Sequence, residues 1–213
     1  MNELRTPQID ASLELTISRP RLDKYLAQNN NDLALAITAY EHNTRLCEAF
    51  YSPLQGLEIA LRNTIHAQMR NQWGPDWMTS GAVPLNATSQ QMVAEVLAEL
   101  QKTTQWPTND SIVAEMRFAF WVGLLGPTYD GDVWRRALNK GFRASGGKKR
   151  VVVHGRMNML RRFRNRVAHH EPIFQHNLQT VHDEILEAIG WMCPDTSNWV
   201  AFNSRVPAVL ANI

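Results

Sequence analysis

Residues 148–172 read KKRVVVHGRMNMLRRFRNRVAHHEP. Ser145-Gly146-Gly147 before them is a flexible joint, and Pro172 at their end cannot continue a helix. Between these two signals the chain is expected to run as one basic helix from about Lys148 to His170. At 1.5 Å per residue that is on the order of 35 Å, enough to cross a domain of this size. The triplet Val151-Val152-Val153 is too short to carry a sheet, and no run of residues alternating with period two occurs anywhere in the chain. An all-α bundle is the resulting expectation.

Working outward, the punctuation is helical throughout. Ser18-Arg19-Pro20 opens a short helix to about Gln28, with Pro20 suited to a first turn. After the asparagines at 29–31, Asp32 starts a second helix, expected to reach Phe50. Ser52-Pro53 reads as a cap and first turn, so a third helix is expected to about Gln72, antiparallel to the second. Thr88 with Gln91 fits a capping box for a helix to Lys102. Asn109 or Asp110 is expected to cap an apolar helix to Leu125, and Asp130 a sixth helix through Phe142. Asn177 is expected to cap a helix from Leu178 to Trp191, and a short helix near Asn198–Ser204 ends the fold. No linker divides two cores, so residues 18–213 are read as one domain behind an N-terminal extension, residues 1–17.

The chain has 213 residues with 44% hydrophobic and 20% charged side chains, an ordinary globular composition. Its two cysteines, Cys47 and Cys193, form no disulfide framework and are expected as buried thiols in a reducing compartment. No basic start followed by an apolar run marks a signal peptide, and no apolar stretch approaches a membrane span. A cytoplasmic protein without membrane contact is the expectation.

The formal net charge of +2 hides a segregation. From Val133 to His170 there is no Asp or Glu, yet twelve of the 22 basic residues lie there: Arg135, Arg136, Lys140, Arg143, Lys148, Lys149, Arg150, Arg156, Arg161, Arg162, Arg164 and Arg166. The rest of the chain is correspondingly acidic. Such a window attracts a polyanion, with nucleic acid the obvious partner. The alternative is a set of cations paired with acids elsewhere in the fold or in a partner protein.

The chemistry concentrates in Arg161-Arg162-Phe163-Arg164-Asn165-Arg166-Val167-Ala168-His169-His170-Glu171-Pro172. Asn165 and His169 are four apart and share a helix face with Arg162. Arg164 lies about 140° round from His169 at ~100° per residue, so a partner helix or a second subunit completes a site more naturally than one helix does. His exchanges protons near neutral pH, Arg presents a planar donor fork to phosphate, and Asn orients either. Together they can cleave a phosphodiester without metal. A histidine near a helix C-terminus also has a purely structural reading, through the helix dipole.

Arg164-Asn165-Arg166-Val167-Ala168-His169 resembles the Arg-Asn-x-x-x-His signature of the HEPN superfamily, and RNRVAHHEPIF is similar to its abortive-infection (Abi-like) branch. RLDKYLAQNNND, AYEHNTRLCEAFYSPLQGLEIALRNTIH, FAFWVGLL and IGWMCP resemble that branch in the same order, over roughly residues 20–200. The resemblance implies an all-α, HEPN-like helical bundle with additional helices that dimerises and brings two motif helices to one cleft. It implies a metal-independent endoribonuclease that acts as a toxin in phage defence. Arg164 would contact the scissile phosphate, His169 would be the acid/base, and Asn165 would orient them. Arg161, Arg162, Arg166, His170, Lys148, Lys149, Arg150 and Arg156 are expected to bind RNA. A non-catalytic module holding a small RNA is the alternative, and a toxin whose basic helix docks on an acidic antitoxin is a third reading.

Other residues compete for roles. Arg62-Asn63-Thr64-Ile65-His66 places Arg62 and His66 one turn apart, either lining the same cleft or, for Arg62, pairing with Glu41 or Glu58. Glu41 and Asn43 either brace the motif arginines or sit on a wet face. No cofactor is expected. Metal binding by His169, His170, Glu171 and His176 is disfavoured, because adjacent helical histidines diverge and no His-x-x-x-His pair is present there. Gly146-Gly147-Lys148-Lys149 lacks the leading glycine and the Ser/Thr of a phosphate loop. The seven tryptophans are read as core and turn anchors rather than stacking platforms.

Overall fold

The computed structural model of the chain describes residues 5–212. The fold is all-α, with no strand among the described residues. The helices are α1 (Pro7–Ile17), α2 (Arg19–Gln28), α3 (Leu33–Trp73), α4 (Ala87–Leu100), α5 (Asn109–Glu115), α6 (Phe118–Gly123), α7 (Arg150–Ala168), α8 (Leu178–Gly190), α9 (Pro194–Asn203) and α10 (Val206–Leu210).

The expected hairpin at Ser52-Pro53 does not form. Residues 33–73 are one helix with Pro53 inside it. Asp32 caps its start by accepting from the Leu35 N–H at 3.0 Å. Pro53 has no N–H to give the Ala49 carbonyl, a defect of about 3 kcal/mol in a helix interior. The apolar stripe Leu46, Phe50, Leu54, Leu57, Leu61, Ile65 and Met69 nevertheless runs through the proline in unbroken phase and is buried along its whole length. Full burial of one such side chain is worth about 1.5–3 kcal/mol, so two or three of the seven outweigh the proline. α3 thereby becomes the axis on which α1, α2 and α6 to α10 pack.

Two hydrophobic clusters result. The larger joins α3 to α4–α10, and the smaller sets Leu22, Tyr25 and Leu26 of α2 against Ala36 and Ile37 of α3. Tyr25 meets Tyr40 and Phe174 edge to face at 5.5 and 5.3 Å. α1 falls within the expected N-terminal extension and packs on both α2 and α3. Arg5 ties its start down, donating to Asp10 Oδ1 at 2.8 Å, Thr38 Oγ1 at 2.9 Å and the Ala34 carbonyl at 2.8 Å.

Other local expectations are corrected. Asn86, not Thr88, caps α4, accepting from the Ser89 N–H at 2.9 Å. Thr108, not Asn109 or Asp110, caps α5, and the helix expected to reach Leu125 breaks at Met116 and Arg117, which are extended. Ile112, Val113, Met116, Phe118, Phe120, Trp121, Val122, Leu124 and Leu125 are all buried, more apolar positions than one face of a helix can hide, and the break lets both sides turn inward. From Pro127 to Phe142 the chain makes short 3₁₀ and π turns instead of a helix. The Asp130 carboxylate, expected as a cap, is drawn to Arg135 and Arg150. Asn177 does cap α8, accepting from the Thr180 N–H at 3.1 Å. α9 begins at Pro194, earlier than expected, and α10 comes after it.

α7 is shorter than expected at 19 residues, about 28 Å. Its buried stripe Val153, Met157, Leu160, Phe163 and Val167 fixes which face remains for chemistry. Phe163 packs edge to face on Phe50 at 5.0 Å, setting α7 on α3. A tight helix approach lies elsewhere on α3: a Cβ at Gly56 would stand 2.7 Å from Val200 Cγ2 of α9. Gly56→Val is expected to destabilise the fold by about 1–3 kcal/mol through overpacking, checked by urea unfolding at equilibrium.

Candidate functional site

The motif helix ends in a defined turn. The His169 N–H donates to the Asn165 carbonyl at 2.9 Å, the His170 N–H to Val167 at 3.1 Å and the Glu171 N–H to Arg166 at 2.8 Å. The last two bonds are those of a Schellman ending, with His169 as cap and His170 next. His170 has φ +57°, the left-handed region where glycine is usual. The peptide chemistry of the turn is satisfied from outside as well. Arg21 of α2 donates to the His170 carbonyl at 3.1 Å. Arg166 donates to the Pro172 carbonyl at 2.7 Å and lies 3.5 Å from the Glu171 carboxylate.

Asn43 of α3 holds the backbone on the far side of this turn. Its side-chain oxygen accepts from the Ile173 N–H at 2.8 Å, and its amide nitrogen donates to the Glu171 carbonyl at 3.3 Å. Asn43 is 3% exposed, so this exchange takes place out of water. The expected brace of the motif arginines is in fact a brace of the backbone behind them.

Beside this turn, α3, α5, α6 and α7 enclose an open groove of about 890 Å³. Leu54, Met116, Phe118, Trp121 and Val167 give it an apolar floor. Arg62, Glu58, Arg164 and His170 are on its walls. Arg164 donates to Glu58 from Nε at 2.6 Å and from Nη2 at 3.4 Å. This pairing uses one edge of the guanidinium and leaves Nη1 and one Nη2 hydrogen for another acceptor. Glu58, expected at most as a partner for Arg62, is thus the residue that fixes Arg164. Cys47 at the groove's other end has its thiol pushed up to about 11 by burial, which keeps it protonated. Both cysteines are unpaired and half-buried rather than fully buried.

The structure separates the three motif residues. Arg164 lines the groove, whereas Asn165 and His169 do not. His169 stands exposed at the helix end, and its neighbour His170 is the imidazole on the groove wall.

The other candidates divide between interior ties and open surface. Arg62 lines the groove, and its Nε–H goes to Asn63 Oδ1 at 3.2 Å, with no carboxylate partner among the described residues. Asn63 is exposed. His66 turns away and accepts from Trp77 Nε1 at 3.1 Å, so it does not line the groove. Glu41 is 3.7 Å from Arg5 and not at the groove. Arg150 donates to Asp130 and to the Leu125 carbonyl, each at 2.9 Å. Arg156 pairs with Glu187 at 2.7 Å and Glu184 at 3.5 Å and lies over Trp191. Arg161 is bonded to Asn158 Oδ1 at 3.2 and 3.0 Å. Lys148 sits over the Trp191 ring at 5.5 Å. Arg162 and Lys149 are exposed. Pairing with acids therefore accounts for part of the basic window, and an open cationic surface for the rest.

No group of three or more His, Cys, Asp or Glu is placed to hold a metal ion among the described residues, and no helix there is long and apolar enough to cross a membrane. Comparison of the chain with protein-family models, curated proteins and solved structures finds no match.

Replacing Asn43 by Leu leaves the Ile173 N–H and the Glu171 carbonyl without partners, and a loss of about 2–4 kcal/mol is expected by urea unfolding. Burial also holds the His66 imidazole below its ordinary value of 6.5. The unfolded chain then takes up this proton first on acidification, so stability is present above about 6.5 and is lost as pH falls below it. His66→Gln keeps an acceptor for Trp77 without titrating. Its unfolding free energy is expected to fall less between pH 7 and 5 than that of the unaltered chain.

Proposed function

We propose that the chain is a metal-independent RNA endonuclease of the Abi-like HEPN type, acting across a homodimer as a toxin in phage defence. The reading rests on one observation: a guanidinium held by Glu58 on a groove wall, on the same helix whose locked end carries His169 and His170. Arg164 offers its free edge to the scissile phosphate and steadies the charge that builds on the phosphoryl oxygens. His169, exposed and on a fixed backbone, takes the proton of the ribose 2′-hydroxyl as that oxygen attacks phosphorus. It or its counterpart returns a proton to the departing 5′-oxygen, leaving a 2′,3′-cyclic phosphate. Asn165 orients these groups.

Since Arg164 faces the groove and His169 does not, one chain presents an incomplete set. A second helix end set against the first brings the His169 of another copy to this guanidinium, and this favours the dimer. A dedicated small RNA or an antitoxin that covers the exposed cations would restrain the activity.

Purified protein is expected to cut RNA in EDTA. His169→Ala and Arg164→Ala are each expected to slow cutting at least ~100-fold. His169 is exposed, so the first variant keeps its fold and most of its RNA affinity. RNA bound but never cut, with His169→Ala indistinguishable from the unaltered chain, identifies the non-catalytic binding module instead.

A further inference from the structure

The groove is larger and more apolar than contact with a phosphate demands. A phosphate needs donors at a surface, as at Arg164, and makes no use of a floor built from Leu54, Met116, Phe118 and Trp121. Tyr51 stands at the rim on α3, 67% exposed, a large aromatic side chain that core packing does not require. The charges on the walls nearly cancel. Glu58 is paired with Arg164, and Glu48 with Arg205 at 2.9 Å. Arg62 is left without a carboxylate among the described residues, one helical turn beyond Glu58 on the same face of α3. One uncompensated cation, a free guanidinium edge, an apolar floor and an aromatic rim together fit a ligand with a flat apolar part and a single negative charge.

We propose that the groove seats one unstacked nucleotide of single-stranded RNA, its base between the apolar floor and Tyr51 and its phosphate between Arg62 and the free edge of Arg164. The proposal deepens the ribonuclease reading and rests on it for the identity of the polymer. It assigns the groove as the seat of a base: a base inside a duplex is stacked on both faces and cannot enter, whereas a single strand presents its base at little cost. Glu58 then acts as a positioning residue, turning the guanidinium so that its open edge faces the phosphate.

Binding tests this separately from cutting. A fluorescent 2′-O-methyl RNA of about ten nucleotides has no free 2′-hydroxyl and stays intact in the assay. Polarisation titrations of the full chain in EDTA are expected to show the single strand bound at least ~10-fold tighter than its duplex. Tyr51→Ala is expected to weaken the single strand about tenfold, while Tyr51→Phe stays within about twofold. Arg62→Ala is expected to weaken it by a similar factor and to lower the slope of log K against log salt by about one. Tyr51 is exposed, so unchanged melting of its variants verifies that the fold is intact. Equal affinity for duplex and single strand, or no loss on Tyr51→Ala, overturns the proposal. RNA cut in EDTA with those binding results leaves the nuclease reading standing and removes only the groove's role. Variant-sensitive single-strand binding with no cutting supports the groove and removes the nuclease.

Discussion

A helix of 41 residues spans about 60 Å and exposes its whole length to water unless neighbours cover one stripe of it. α3 meets that constraint by gathering helices from both ends of the chain: α1 and α2 at its start, α7 and α8 along its middle, α9 and α10 from the C-terminal end. The site depends on this in a direct way. Asn43, Glu58 and Arg62 all belong to α3 and lie along its groove side, so one rigid element supplies the clamp on the turn, the carboxylate for Arg164 and the free cation. A break at Pro53 would put Asn43 on one body and Glu58 on another, and the turn and the guanidinium would lose their common reference.

The electrostatics have their origin in the same packing. Arg150, Arg156, Arg164 and Arg166 find carboxylates at Asp130, Glu187, Glu58 and Glu171. Each of these acids lies outside the acid-free window, so folding mixes two charge populations that the chain keeps apart. Arg150 and Arg156 are consumed in joining α7 to its neighbours, and Arg136, Lys140, Arg143, Lys149 and Arg162 stay exposed on the surface. Recognition by such a surface relies more on where a few guanidinium groups point than on a broad attractive field.

The sequence makes the all-helical class and the boundaries of α2 and α8 legible, because capping residues and prolines act locally. It misleads where long-range burial overrides a local signal. Pro53 carries the marks of a first turn, and only the unbroken phase of Leu46, Phe50, Leu54 and Leu57 on either side reveals a single helix. The apolar run 112–125 looks like one helix because periodicity does not report that the core surrounds it on several sides. Arg164 and Asn43 are legible as polar groups needing partners, but their partners are not. Glu58 is 106 residues from Arg164, and the atoms through which Asn43 holds the turn belong to the backbone, which carries no sequence signal. Arg150, read as an RNA contact, also has partners the sequence does not show, Asp130 and the Leu125 carbonyl.

The left-handed conformation of His170 has an entropic side. Glycine at this position would place the chain in the same bend with less backbone strain, yet it would bring many more unfolded conformers and leave the bend free to wander. A residue with a β-carbon has few basins to choose from. The bend after α7 is consequently stiffer than a glycine reversal, and the backbone from which the imidazole projects is fixed without help from a ligand.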